Sequence, residues 1–231
     1  QRPHRNQYRR GVLGCVIIAV AAAWVLHRRR VDRAVVALVV AGLVLDAAYL
    51  SYTGWIERNP DSWAHMSYAR WLSTHHALPR ADDCAECHHP PAFYVLAATV
   101  LSLCERAKVD AGLGLQLFAL SLWAVFLVSA GLLVQRMVRG RLARAMAVAL
   151  IAFWPYGVMQ SVRVNNDTMV CALAGLLLLA LVFCLWIERI ESPETPPGRF
   201  LLTHRLFSLL FPASLAVSAV SLVLTARAKG L

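Results

Sequence analysis

The chain has 231 residues, of which 59% are hydrophobic and only 16% charged, and its mean hydropathy is +0.57. A water-soluble domain of this size could not cover so much apolar surface, so the composition excludes a soluble globular fold and makes lipid the solvent. The formal charge of +10 sits in short clusters between apolar runs, Arg9-Arg10, His27-Arg28-Arg29-Arg30 and Arg139-Gly140-Arg141; this is the pattern of cytoplasmic loops beside membrane helices, not of a nucleic-acid-binding face.

In chain order the apolar runs are 12–26, 34–52, 92–103, 113–138, 145–162, 169–187 and 206–225. A span needs roughly 20 residues, and all but 92–103 meet or approach that length. The first run has Arg-rich flanks on both sides and no small-residue cleavage site after it, so it reads as a span and not as a cleavable signal peptide. Ser192-Pro193-Glu194-Thr195-Pro196-Pro197-Gly198 reads as a loop between the last two runs, because adjacent prolines and a glycine stop a helix. The chain opens on Gln and stops at Leu231; residues 1–231 read as one transmembrane domain, trimmed or incomplete.

Charge sets an expected orientation. With 27–33 cytoplasmic, the run 34–52 passes outward and the loop 53–91 is extracytoplasmic. With 139–144 also cytoplasmic, 113–138 passes inward. The short run 92–103 must then begin and end on the outer side, as a re-entrant or interfacial helix, and 163–167 falls on the same side as the 53–91 loop. The N-terminal Arg cluster runs against the rule in this arrangement. The expectation is an all-α, polytopic transmembrane helical bundle whose extracytoplasmic first loop contains interfacial helices.

That loop concentrates the acid, imidazole and thiol groups. Asn59-Pro60 reads as a helix start, with Asn as N-cap and Pro in the first helical position. Asp61, His65, Tyr68 and Leu72 then share one helical face. Trp55, Trp63 and Trp71 suit a helix lying in the headgroup region. Taken singly, Asp61 is better explained by the helix dipole and His65 by solvation at the surface. Asp46 lies inside an apolar run, where an ionisable group is costly; snorkelling or lining a cavity would accommodate it. Cys84-Ala85-Glu86-Cys87-His88 admits three readings: covalent haem attachment, half of a zinc site completed by His88, His89 or His65, or a short-loop disulfide. The disulfide between Cys84 and Cys87 is preferred, since the loop faces an oxidising compartment and one CxxC supplies only half of a structural metal site. Cys15, Cys104, Cys171 and Cys184 read as inert small hydrophobes. Arg163-Val164-Asn165-Asn166-Asp167 reads as a turn capping the helix near Thr168, or as lining for the same outer cavity.

The ordered set of motifs resembles the GT-C superfamily of polytopic glycosyltransferases, in particular the protein mannosyltransferase, aminoarabinose transferase and RgtA/B/C/D-like groups. Three pieces carry the resemblance: Asn59-Pro60-Asp61-Ser62-Trp63-Ala64-His65 after an outward span; Glu86 with His89-Pro90-Pro91-Ala92-Phe93-Tyr94; and Trp154-Pro155 through Arg163-Val164-Asn165-Asn166-Asp167. The match runs from about residue 34 to 187. Many relatives carry Asp-Glu where this chain has Asp61-Ser62, and an Arg where the nearest polar residue here is Gln116. Relatives are also longer, which implies a short member or an incomplete chain.

The resemblance implies an inverting transfer of sugar from a polyprenyl-phosphate donor to an acceptor hydroxyl on a glycan, lipid or protein. Asp61 takes the role of catalytic carboxylate. A carboxylate within hydrogen-bond reach can remove the hydroxyl proton as the C–O bond forms. The lipid phosphate leaves and needs positive charge or a divalent metal ion nearby; Arg163, Arg70 and His89 are candidates. His65, Glu86, Asn165, Asn166 and Asp167 are expected to contact substrate, with no metal ligand assigned and no cofactor demanded. The setting implied is a bacterial inner membrane with the site facing outward. The rival readings are a non-catalytic or truncated scaffold and a small-solute transporter, which would bury its ionisable groups within the spans at broken helices.

Overall fold

The computed structural model describes residues 2–56 and 61–190, and among these every regular element is an α-helix. They are α1 (Arg2–Arg28), α2 (Arg33–Tyr52), α3 (Ser62–His75), α4 (Ala92–Ala107), α5 (Ala111–Met137), α6 (Arg141–Ala152), α7 (Pro155–Ser161) and α8 (Asp167–Ile190). Four of them, α1, α2, α5 and α8, are long and apolar enough to cross a membrane, or five spans if the bent pair α6–α7 counts as one. The expected helix start at Asn59-Pro60, the loop 192–198 and the run 206–225 lie outside the described residues.

Local sequence sets the helix ends. Asp32 caps α2 by accepting from the Ala34 N–H at 2.9 Å, and Asp110 caps α5 by accepting from the Leu113 N–H at 2.8 Å. α3 and α4 end in left-handed residues, His76 and Lys108. The run 145–162, read as one span, is two helices bent by 55°. Pro155 explains the bend: it has no N–H to donate and its ring clashes with the preceding turn, so it starts α7 instead of continuing α6. Trp154 before it is extended, as a pre-proline residue prefers.

α5 is the central mast. It packs against α1, α2, α4 and α8. One apolar core gathers Leu26, Val35, Val39, Leu120 and Leu127 from α1, α2 and α5; a second gathers Tyr68, Leu72, Phe93, Leu101 and Leu115 from α3, α4 and α5. The outward faces are apolar too. Val16, Val20 and Trp24 of α1 and Val170, Leu173 and Leu177 of α8 are exposed, as helices facing hydrocarbon require.

Polar contacts define the two ends of the bundle. At one end the Asp32 carboxylate pairs with Arg141 Nε at 3.4 Å, and the Asp32 N–H donates to Gln135 Oε1. The 27–33 turn and the 135–144 segment therefore lie together. At the other end Gln116 Nε2 donates to the Thr53 carbonyl, and a Cβ on Gly112 would strike the Trp55 indole.

α4 packs on the N-terminal half of α5: its Phe93 stacks on Phe118 with ring centroids 5.8 Å apart, and its Cys104 fills the space beside Gly114.

Candidate functional site

The site is built where α3, α4, the loop between them and the α7–α8 turn converge. α3 begins at Ser62, later than the sequence suggests, so Asp61 is the N-cap residue and not part of the first turn. Its carbonyl accepts from the Ala64 and His65 N–H groups, but its side chain makes no capping hydrogen bond and is exposed. The carboxylate is thus free of its own helix. One turn on, His65 is buried, as are Tyr68 and Leu72 on the same face.

α4 supplies the partner. Tyr94 is fully buried, its hydroxyl lies 2.7 Å from His65 Nδ1, and its ring stacks on Tyr68 with centroids 3.9 Å apart. Pro90-Pro91 leads straight into this helix, with Pro91 as its N-cap residue. Before it, a disulfide joins Cys84 and Cys87, so neither sulfur is available for haem attachment or for binding zinc. The same turn holds Glu86, whose Oε2 meets His89 Nε2 at 2.6 Å and His88 Nε2 at 4.0 Å. His89 in turn lies with its ring centroid 6.0 Å from that of His65.

Three carboxylates act on this pair. Burial holds the His65 imidazole below its ordinary value of 6.5; Glu86, Asp61 and Asp167 push the other way and His89 reinforces the depression. Burial, reinforced by Glu86, Tyr68 and Asp167, raises the Tyr94 hydroxyl far above its usual range, and burial pushes Tyr68 up to about 12. Both phenols are therefore neutral donors at physiological pH.

Asp167 opens α8 and accepts from Gln160 Nε2 of α7 at 3.0 Å. The expected cap is made differently: the Asn166 carbonyl accepts from the Met169 and Val170 N–H groups, while the Asp167 carboxylate faces α7. Asn165 is buried with its Oδ1 unpartnered, as is Gln160 Oε1. These are acceptors free for an outside donor.

The structure thus brings Asp61, His65, Glu86, His89 and Asp167 to one end of the bundle, with Arg163, Asn165 and Asn166 on the adjoining turn. It sets Arg70 apart. That residue is exposed and five positions on from His65, roughly 140° around α3, so α3 cannot turn both side chains toward one centre. Tyr94 and Gln160 are the members that residue pattern alone did not single out. Tyr94 stood in the His-Pro-Pro-aromatic element, but nothing in the sequence says which of Phe93 and Tyr94 turns inward.

Glu86, His88 and His89 each offer one ligand atom, all within 4.8 Å of one another. This mixed nitrogen and oxygen set suits a borderline divalent ion such as zinc, and the Glu86–His89 contact would open to receive it. A groove of about 490 Å³ follows the C-terminal halves of α3 and α4, lined by Leu72, His76, Ala98, Thr99, Ser102 and Arg106. It lies beyond the carboxylate cluster, not over it. No family model matches the chain, and neither a curated protein nor a solved structure matches it.

Proposed function

We propose that this chain is a membrane glycosyltransferase of the GT-C kind, moving a sugar from a polyprenyl-phosphate donor to an acceptor hydroxyl with inversion. The observation that carries the reading is the Asp61 carboxylate, exposed at the start of α3 and not used as a cap, beside the buried His65–Tyr94 pair. Asp61 takes the acceptor proton while the acceptor oxygen bonds to the anomeric carbon, and the carbon–oxygen bond to the lipid phosphate breaks, its electron pair leaving with the phosphate. His89 and Arg163 offset the leaving charge; Glu86, Asn165, Asn166 and Asp167 orient the sugar and the acceptor. The groove between α3 and α4, with Arg106 at one end, suits an isoprenoid chain.

The positive clusters at 27–33 and 139–144 support an orientation with the Asp61 end outward; the bacterial inner membrane is what the family resemblance implies. Incubation of the purified protein with a radiolabelled polyprenyl-phosphate hexose and a hydroxyl acceptor tests the reading; sugar transfer is expected, and binding without transfer contradicts it.

A small-solute transporter is the second reading. Asp46, buried within α2 beside the broken α6–α7 pair, favours it. Uptake into proteoliposomes, with no transfer, is the outcome that would select it.

A further inference from the structure

α2 carries a carboxyl group inside its span. Asp46 is fully buried, and neither of its oxygens has a hydrogen-bond partner of sound geometry. Trp123 of α5 and Ser161 of α7 lie beside it, and its charge acts on the Cys15 thiol of α1. The Trp123 Nε1–H is also unpartnered. The Ser161 hydroxyl also reaches the Val158 carbonyl at 2.8 Å.

α6 brings its last turn against α2 one helical turn before Asp46. A Cβ on Gly42, four residues before Asp46 and on the same face of α2, would lie 2.9 Å from Ala152 Cβ and 3.1 Å from the Ala152 carbonyl oxygen. There the chain breaks by 55° into α7, so the carbonyls that end α6 have no following helical turn to receive donors from. The Trp123 N–H and the Ser161 hydroxyl flank the carboxyl, yet neither of its oxygens has a well-formed hydrogen bond.

An ionised carboxylate in these surroundings needs a compensating positive charge. Among the described residues no Lys, Arg or His acts on Asp46; the titratable group facing it is Cys15, while α5, α6 and α7 bring an indole, an apolar helix end and a hydroxyl. Both carboxylate oxygens are sealed from solvent, which leaves no room for a hydrated ion. The charge that fits is the smallest one, a proton carried on one carboxyl oxygen.

We propose that Asp46, set against the α6–α7 break with Trp123 and Ser161, is an intramembrane proton-binding site. It stands whether or not the chain transfers sugar. α7 links it to the outer cluster: Ser161 faces Asp46, and the preceding Gln160 holds Asp167 at 3.0 Å.

The test is carbodiimide labelling of the full chain in lipid nanodiscs. Dicyclohexylcarbodiimide enters apolar regions and modifies protonated carboxylic acids. Peptide mass spectrometry is expected to find the adduct at Asp46 in excess over the exposed Asp61 and Glu105. The adduct is expected to fall as pH is raised and the carboxyl ionises, to be unaffected by Na+, and to vanish in Asp46→Asn. An unlabelled Asp46 beside labelled exposed carboxylates overturns the proposal, and so does protection by Na+ at constant pH, which would assign a metal cation. Infrared spectroscopy of the wild type covers the case in which Asp46→Asn does not fold. The carbonyl stretch of a protonated carboxylic acid at neutral pH is expected, and its absence overturns the proposal.

Discussion

The Tyr94 hydroxyl meets His65 Nδ1 at 2.7 Å with both side chains buried. This one contact ties α3 to α4 and fixes the ring around which Asp61, Glu86, His89 and Asp167 gather. Neutral imidazole accepts at one nitrogen and donates at the other. With Tyr94 as donor, Nδ1 accepts and the proton sits on Nε2, the atom left to face the cluster.

Tyr94→Phe removes the donor and leaves a buried nitrogen without its partner, at a cost of about 1–3 kcal/mol. The ring stack on Tyr68 survives. Tyr68→Phe keeps the same stack and costs less, because among the described residues the Tyr68 hydroxyl makes no side-chain hydrogen bond. Thermal unfolding in detergent compares the two variants, and equal losses would contradict the pairing.

The depressed imidazole has a signed consequence for stability. Its folded value lies below 6.5, chiefly through burial, so between that folded value and 6.5 the unfolded chain binds the extra proton. Stability from this group is complete above 6.5 and is lost as pH falls through that window. His65→Gln should flatten the acid side of a plot of unfolding temperature against pH. An unchanged acid limb would show that His65 titrates at its ordinary value.

The membrane architecture was legible because hydropathy and charge speak directly about lipid: the runs 12–26, 34–52, 113–138 and 169–187 all fall within α1, α2, α5 and α8 or within a residue of their ends. The short run at 92–103 lies within the 16-residue helix α4, and its hydropathy alone does not separate an interfacial helix from a tilted span. The run 145–162 was legible as a proline-bearing span, but the sharpness of its 55° bend was not, because a proline within apolar sequence can kink a span gently as well as divide it. Helix spacing put His65 and Tyr68 on one face. It could not reveal that Tyr94, on another element and 29 residues from His65, closes that face. The same spacing sets Arg70 roughly 140° around α3 from His65, so its place apart from the cluster was legible but was overridden by the motif that carried the resemblance.

Two glycines should answer to alanine with opposite sign. Gly42 lies where α2 and α6 approach most tightly, and its new Cβ would press on Ala152 Cβ and the Ala152 backbone, which cannot swing aside; Gly42→Ala should cost about 1–3 kcal/mol. Gly131, inside α5, has its nearest neighbours at an ordinary 3.5 Å, so Gly131→Ala should stabilise by up to about 1 kcal/mol through helix propensity. Denaturation midpoints of the two variants read the difference directly, and a stabilised Gly42→Ala would mean that α2 and α6 are not in this contact.

Transfer assays on Asp61→Asn in purified, folded protein bear most directly on the central claim. The amide keeps the shape of the carboxylate but cannot accept the acceptor's proton. Because the side chain makes no capping bond, its loss should leave helix α3 intact. The expected result is donor binding and thermal stability at the wild-type level, with sugar transfer lowered by about 100-fold or more, the usual contribution of a positioned base. Transfer at the wild-type rate in this variant would contradict a base at Asp61.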